Sequence, residues 1–203
     1  MIAFIGDVHR AFDRLAAAVA GLPAGIDIAI QVGDLGLHQD DFGSTAPGVP
    51  LLARQVYYVT GNHDHEPSYR GIDRPTEMAP NLVYVPRGTV LELDGRRIAF
   101  LGGGDSVIDR AARRSGVDWW PEEQVTTADV ARFEGMGPVN FLVCHTPPAF
   151  VYHFFQLSPD PSAWAVGRAW QLLGRPPVIC GHLHKPRQVG CVRVLGELEV
   201  LIA

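Results

Sequence analysis

Asp7 and His9 stand two residues apart just after a short apolar run, and His182 and His184 repeat that spacing near the other end of the chain. In an extended segment residues i and i+2 point the same way, so each pair can send both side chains into one pocket. Between the pairs lie Gly33-Asp34, Gly61-Asn62-His63-Asp64 and His145. Asp7, His9, Asp34, Asn62, His145, His182 and His184 offer two carboxylates, four imidazoles and one amide carbonyl oxygen. Mixed oxygen and nitrogen donors without thiolate suit Mn, Fe, Zn, Co or Ni rather than a soft-metal centre. Seven such residues are too many for one tetrahedral ion, and suit two ions that share a bridging carboxylate.

For these groups to meet, the elements carrying them must end on one side of the fold. Residues 1–6, 26–32, 56–60, 140–144 and 178–181 are apolar runs that read as buried strands, and every candidate donor follows one of them. In α/β sheets, ligand sites form in the crevice at the carboxyl ends of strands. Residues 12–22 are alanine-rich with helical spacing, and Pro23 follows. A second helix is expected over about 162–173, and a third, capped by Thr126 or Thr127, through Phe133. Residues 82–85, 90–93 and 97–101 are strand-like, and Asp94-Gly95 signals a tight hairpin between the last two. Residues 192–195 and 197–202 read as a closing hairpin around Gly196. Two mixed sheets with helices outside them satisfy this pattern. With no linker, repeat or low-complexity segment, residues 1–203 read as one domain around one core.

The bulk composition limits the classes open to the chain. Hydrophobic residues make up 47% and charged residues 19%, which is globular rather than disordered. A formal net charge of −5 carries no basic signature for nucleic acid, although a local basic patch remains compatible with it. Cys144, Cys180 and Cys191 form neither a disulfide framework nor a thiolate zinc pattern, and the first two read as buried thiols. No apolar stretch has the length of a membrane span and no signal peptide is visible, so a soluble cytoplasmic protein is expected.

The order Asp7/His9, Gly33-Asp34, Gly61-Asn62-His63-Asp64, His145 and Gly181-His182-Leu183-His184 resembles the calcineurin-like metallophosphoesterase family, whose pattern is D-x-H, G-D, G-N-H-D/E, a lone H, then G-H-x-H. The resemblance runs from residue 5 to residue 184. It implies a four-layer α/β/β/α sandwich, two mixed β-sheets flanked by helices. It also implies two divalent metals, Mn²⁺ first, with Fe, Zn, Ni or Co as alternatives. One metal takes Asp7, His9, Asp34 and His184, the other Asp34, Asn62, His145 and His182, with Asp34 bridging. Such metals, about 3.5–4 Å apart, acidify a bound water for in-line attack on phosphorus and clamp the entering and leaving oxygens. His63 would face the leaving group as its acid, with Asp64 orienting it and raising its pKa. The implied activity is hydrolysis of phosphate mono- or diesters. The second motif lacks the G-D-x-x-D-R-G pattern of the superfamily's protein phosphatases, which argues against a phosphoprotein substrate.

Several residues stay open. His38, a few positions past Asp34, either reaches substrate or sits in a solvated loop; His65 and His153 read as surface or loop residues. Residues 102–110 (Gly-Gly-Gly-Asp-Ser-Val-Ile-Asp-Arg) read as a loop at the rim of the site. Arg110 is either a phosphate clamp or a solvated arginine beside Arg113 and Arg114. Trp119 and Trp120 either pack inside or form a stacking wall for a base. The expected partner is a small phosphate ester or nucleotide-like substrate. A nuclease or RNA-processing diesterase is the neighbouring alternative, and a non-catalytic scaffold of the same fold the remote one. The oligomeric state is left open.

Overall fold

The computed structural model describes residues 1–37, 48–107 and 109–203. His38 therefore lies outside the described residues. Two six-stranded sheets face one another. The first contains β1 (Ile2–Ile5), β2 (Ile28–Gln31), β3 (Gln55–Tyr58), β4 (Thr76–Ala79), β5 (Leu82–Tyr84) and β12 (Val200–Ile202), in the order β12-β1-β2-β3-β5-β4. The second contains β6 (Thr89–Leu93), β7 (Arg96–Leu101), β8 (Phe141–Cys144), β9 (Val178–Cys180), β10 (Arg187–Val189) and β11 (Val192–Val194), in the order β10-β11-β9-β8-β7-β6. Both sheets are mixed: the inner pairs β1–β2, β2–β3, β7–β8 and β8–β9 run parallel, and the outermost strands run antiparallel to their neighbours.

Strand alternation divides the interior into layers. In β1, Ile2 and Phe4 point between the sheets, where they meet Ile98, Phe100, Val143 and Ile179 of the second sheet. Ala3 and Ile5 point the other way, onto α1 (Phe12–Ala20), which buries Phe12, Leu15 and Val19 against them. On the far side, Ala99, Leu101, Leu142 and Cys144 pack under α2 (Thr127–Ala131), α3 (Ala149–Tyr152) and α4 (Pro161–Leu172). The order helix, sheet, sheet, helix is the expected four-layer sandwich. Strands buried on both faces have no polar side to show, which is why they appear as continuous apolar runs.

Local chemistry sets the element ends. Thr126 and Asp129 form a capping box at α2, and the Asp160 carboxylate accepts the Ala163 N–H at the start of α4. Asp94 and Gly95 both take positive φ between β6 and β7, as a two-residue hairpin turn requires. The closing hairpin is not found. β11 pairs with β9 and β10, whereas β12 crosses to the first sheet and pairs antiparallel with β1. β12 follows a turn at Gly196 whose residues bond back to the first sheet: Leu198 donates to the Asp7 carbonyl and Gly6 donates to that of Glu199. No helix among the described residues is long and apolar enough to cross a membrane.

Candidate metal centre

Because β1, β2 and β3 run parallel, and so do β7, β8 and β9, the loops after β1, β2, β3, β8 and β9 open on one side. Those five loops carry every donor singled out above. They are laced together by backbone bonds: Val8 and His9 donate to the Asp34 carbonyl at 3.0 and 2.8 Å, and Gly181 donates to that of His145 at 3.1 Å. Gly61 and Gly181 have to be glycine, since a Cβ on the first would overlap Asp34 Oδ1 and one on the second Asp7 Oδ1.

The donors fall into two groups that share Asp34. Asp7, His9, Asp34 and His184 place ligand atoms all within 4.8 Å of one another. His184 Nε2 lies 3.0 Å from Asp7 Oδ2 and 3.1 Å from His9 Nε2. In the second group Asn62 Oδ1 lies 2.9 Å from His182 Nδ1 and 3.1 Å from His145 Nε2, and those two ring nitrogens are 3.2 Å apart. Asp34 stands between the groups. Its Oδ1 is 3.4 Å from His145 Nε2, and its Oδ2 is 3.8 Å from His9 Nε2. That Oδ2 is buried with no hydrogen-bond partner. A buried carboxylate oxygen without a donor is costly, and lone pairs crowding on one another need a cation or protons between them. The donor set fits divalent metal.

The surroundings orient these ligands. His145 Nδ1 is 3.1 Å from the Val32 carbonyl, which places the proton there and leaves the Nε2 lone pair facing the cluster. Asn62 Nδ2 donates to Ser106 Oγ at 3.2 Å, turning the amide oxygen inward. The Asp7 carboxylate accepts the His182 peptide N–H at 3.0 Å, and Asp34 Oδ1 accepts that of His63 at 2.8 Å. His9, Asp34, His182 and His184 all have left-handed backbone, at φ 47, 55, 69 and 53°. Such conformations cost non-glycine residues on the order of 1–3 kcal/mol each and gather at functional sites.

The electrostatics show a site built for positive charge. Burial opposes a charge on His145, yet the Asp34 carboxylate outweighs it and holds the imidazole up at about 9. Burial would raise Asp34, but the histidines around it, His145 first, hold it well below the usual carboxylate range. Burial drives His182 down to about 3, with His145 adding to the effect. The hydrogen bond that His184 donates to the Asp7 carboxylate raises its pKa against its burial.

Two expected roles are corrected. Asp64 does not touch the His63 ring. Its buried carboxylate instead accepts the peptide N–H groups of Gly36 at 2.6 Å, Gly61 at 2.7 Å and Leu35 at 3.3 Å. Neighbouring side chains on one turn diverge, and these loop amides have Asp64 as their acceptor. The His63 pKa is lowered, not raised: burial pushes it down, and of its neighbours Asp34 pulls it up while Arg113 pushes it further down. Arg110 holds its guanidinium over Trp119, 3.6 Å from the ring centroid, and donates to the Arg113 carbonyl at 3.3 Å.

Lys185 lines the cleft over the donors, and Arg113 lies beside His63. The arginine donates to Asp109 Oδ2 at 2.7 Å and to the Asn62 carbonyl at 2.8 Å, and its Nη2 is 2.7 Å from His63 Nε2. In sequence it looked like one of a solvated run; its bonds to Asp109 and the Asn62 carbonyl turn it inward. Ser106 and Glu123, whose carboxylate takes the Ser106 N–H at 2.7 Å, were equally invisible. The 102–110 loop does form a rim: Asp105, Ser106, Val107 and Asp109 border a cleft of about 550 Å³ that contains Asp34, Asn62, His182 and His184. Trp120 is buried, with its ring edge-on to His65 at 4.8 Å, while Trp119 donates to Glu123 at 3.0 Å.

The model for calcineurin-like phosphoesterases matches residues 1–186, and the chain belongs to that family. Membership makes it, in general terms, a metal-dependent phosphoesterase. No curated protein matches it.

Proposed function

We propose that this chain, as one domain, hydrolyses small or nucleotide-like phosphate mono- or diesters at two divalent cations, Mn²⁺ before Fe, Zn, Ni or Co. Asp34 carries the reading: a buried carboxylate shared by two donor groups, with one oxygen unpartnered. Asp7, His9, Asp34 and His184 would hold one cation, and Asp34, Asn62, His145 and His182 the other. When bound, the cations supply Lewis acidity that offsets phosphoryl charge and acidifies water.

The residues do the rest. Val32 and Ser106 fix which face His145 and Asn62 turn inward. His63, at the cleft wall and 40% exposed at its side chain, serves the departing oxygen. Burial and Arg113 favour its neutral form, so it stabilises that oxygen through an N–H hydrogen bond. The net reaction adds one water across a P–O bond, yielding an alcohol and a phosphate with one ester fewer.

The test is elemental analysis of purified protein together with hydrolysis of p-nitrophenyl phosphate and bis-p-nitrophenyl phosphate under added Mn²⁺. About two metals per chain with turnover, both lost in Asp34→Asn, are expected. No bound metal and no turnover with any divalent ion would end the proposal.

A further inference from the structure

His63 and Asp109 border two cavities rather than one. The first is the 550 Å³ cleft over the donor cluster, whose wall away from the metal ligands has an apolar part, Phe155, Leu157 and Leu183, beside Ser158, Asp160 and Lys185. The second, about 310 Å³, lies across His63 and is framed by His65, Arg113, Val117 and Trp120. Each is within the range of about 300–1,000 Å³ typical of small-molecule sites. Inorganic phosphate fills neither, and a monoester has one substituent to place.

We propose that the cleft is two-armed and selects phosphodiesters, with one uncharged, ring-sized ester group over the apolar part of that wall and the other against Trp120 and Val117. This rests on the phosphoesterase reading above and names its substrate class. The charges in the second arm are already matched, which argues against a further phosphate there. Arg113 is engaged by Asp109, the Asn62 carbonyl and His63, and Asp118 is paired with Arg114 at 3.4 Å. What the arm has left to offer is the exposed side chain of Val117 beside His65 and the small exposed part of Trp120, which favours an uncharged group. The shared border at His63 puts the branch point beside the donor cluster, where the phosphorus has to sit.

The test compares two diesters of equal charge and identical leaving group, methyl p-nitrophenyl phosphate and bis-p-nitrophenyl phosphate, which differ only in the second substituent. Affinities are measured on the full chain by calorimetry in chelator, so that no metal-dependent turnover consumes either ligand. The bis-aryl ester is expected to bind about tenfold tighter. Val117→Phe, at a position 54% exposed and so tolerant of bulk, fills the arm and should bring the two affinities to within about twofold. With Mn²⁺ restored, kcat/KM should favour the bis-aryl ester over both the methyl ester and p-nitrophenyl phosphate by about tenfold. Equal affinities in the unsubstituted chain, or a difference that survives Val117→Phe, would overturn the second arm whatever the turnover. A tenfold affinity difference abolished by Val117→Phe, but with no hydrolysis under any divalent ion, would uphold the two arms and overturn the phosphoesterase reading instead.

Discussion

The two sheets contribute unlike chemistry to the same crevice. Loops of the first sheet bring the oxygen donors Asp7, Asp34 and Asn62, with His9 beside them; loops of the second bring only imidazoles, His145, His182 and His184. The second sheet alone has no oxygen donor and the first only one imidazole, so a set with several donors of each kind needs both. The imidazoles of the second sheet do not respond alike: carboxylates of the first sheet raise His145 and His184, whereas burial and His145 lower His182. A cation held by donors from both would fasten one sheet to the other.

Breaking the shared oxygen should have the largest effect. Asp34→Asn is expected to lower kcat/KM by on the order of 10³-fold and to release both metals, checked by steady-state kinetics and elemental analysis. Taking one donor from each sheet sharpens the contrast. His145→Ala, on the buried imidazole side, should cost about 10²-fold or more, and His9→Ala, on a side chain 29% exposed, about tenfold, with metal content falling in both. If His9→Ala proved the more damaging, the division between a deep and a peripheral group would be wrong. Removing the metals with a chelator should lower the thermal midpoint by about 5–10 °C, read by calorimetry, since a cation bound across both sheets stabilises only the folded state. Asp64→Asn weakens the tie between the loops at 36 and 61 within the first sheet, and should cost about 1–3 kcal/mol by denaturant titration, with or without chelator. Trp164→Ser, at a side chain 65% exposed on α4 and away from both sheets, should stay within about 0.5 kcal/mol.

The division between legible and hidden features follows the range of the forces involved. Donors that close a parallel strand could be read from the sequence, because the apolar run, the glycine and the polar residue after it are all local. The Asp94-Gly95 hairpin and the helix expected over about 162–173, found at Pro161–Leu172, were legible for the same reason. β4 and β10 were missed: Thr76–Ala79 and Arg187–Val189 are short edge strands, half polar, with no apolar run to mark them. The direction of Asp64 depends on three amides from two separate loops, and the inward turn of Arg113 on Asp109 and the Asn62 carbonyl. The β12 crossover reflects which sheet had a free edge beside β1, and no local pattern carries that.

That crossover also constrains the order in which the molecule can assemble. Ala3 pairs with Ile202, so β1 gains this outer neighbour only once β12, some two hundred residues later in the chain, is available. The turn leading into that strand holds the loop of Asp7 through the Leu198 N–H. A nascent chain can thus form most of both sheets while the Asp7 loop still lacks that support, and this long-range closure belongs among the late events of folding. Metal capture would then wait for β12, and an experiment timing metal uptake against synthesis should see no uptake before that strand is made.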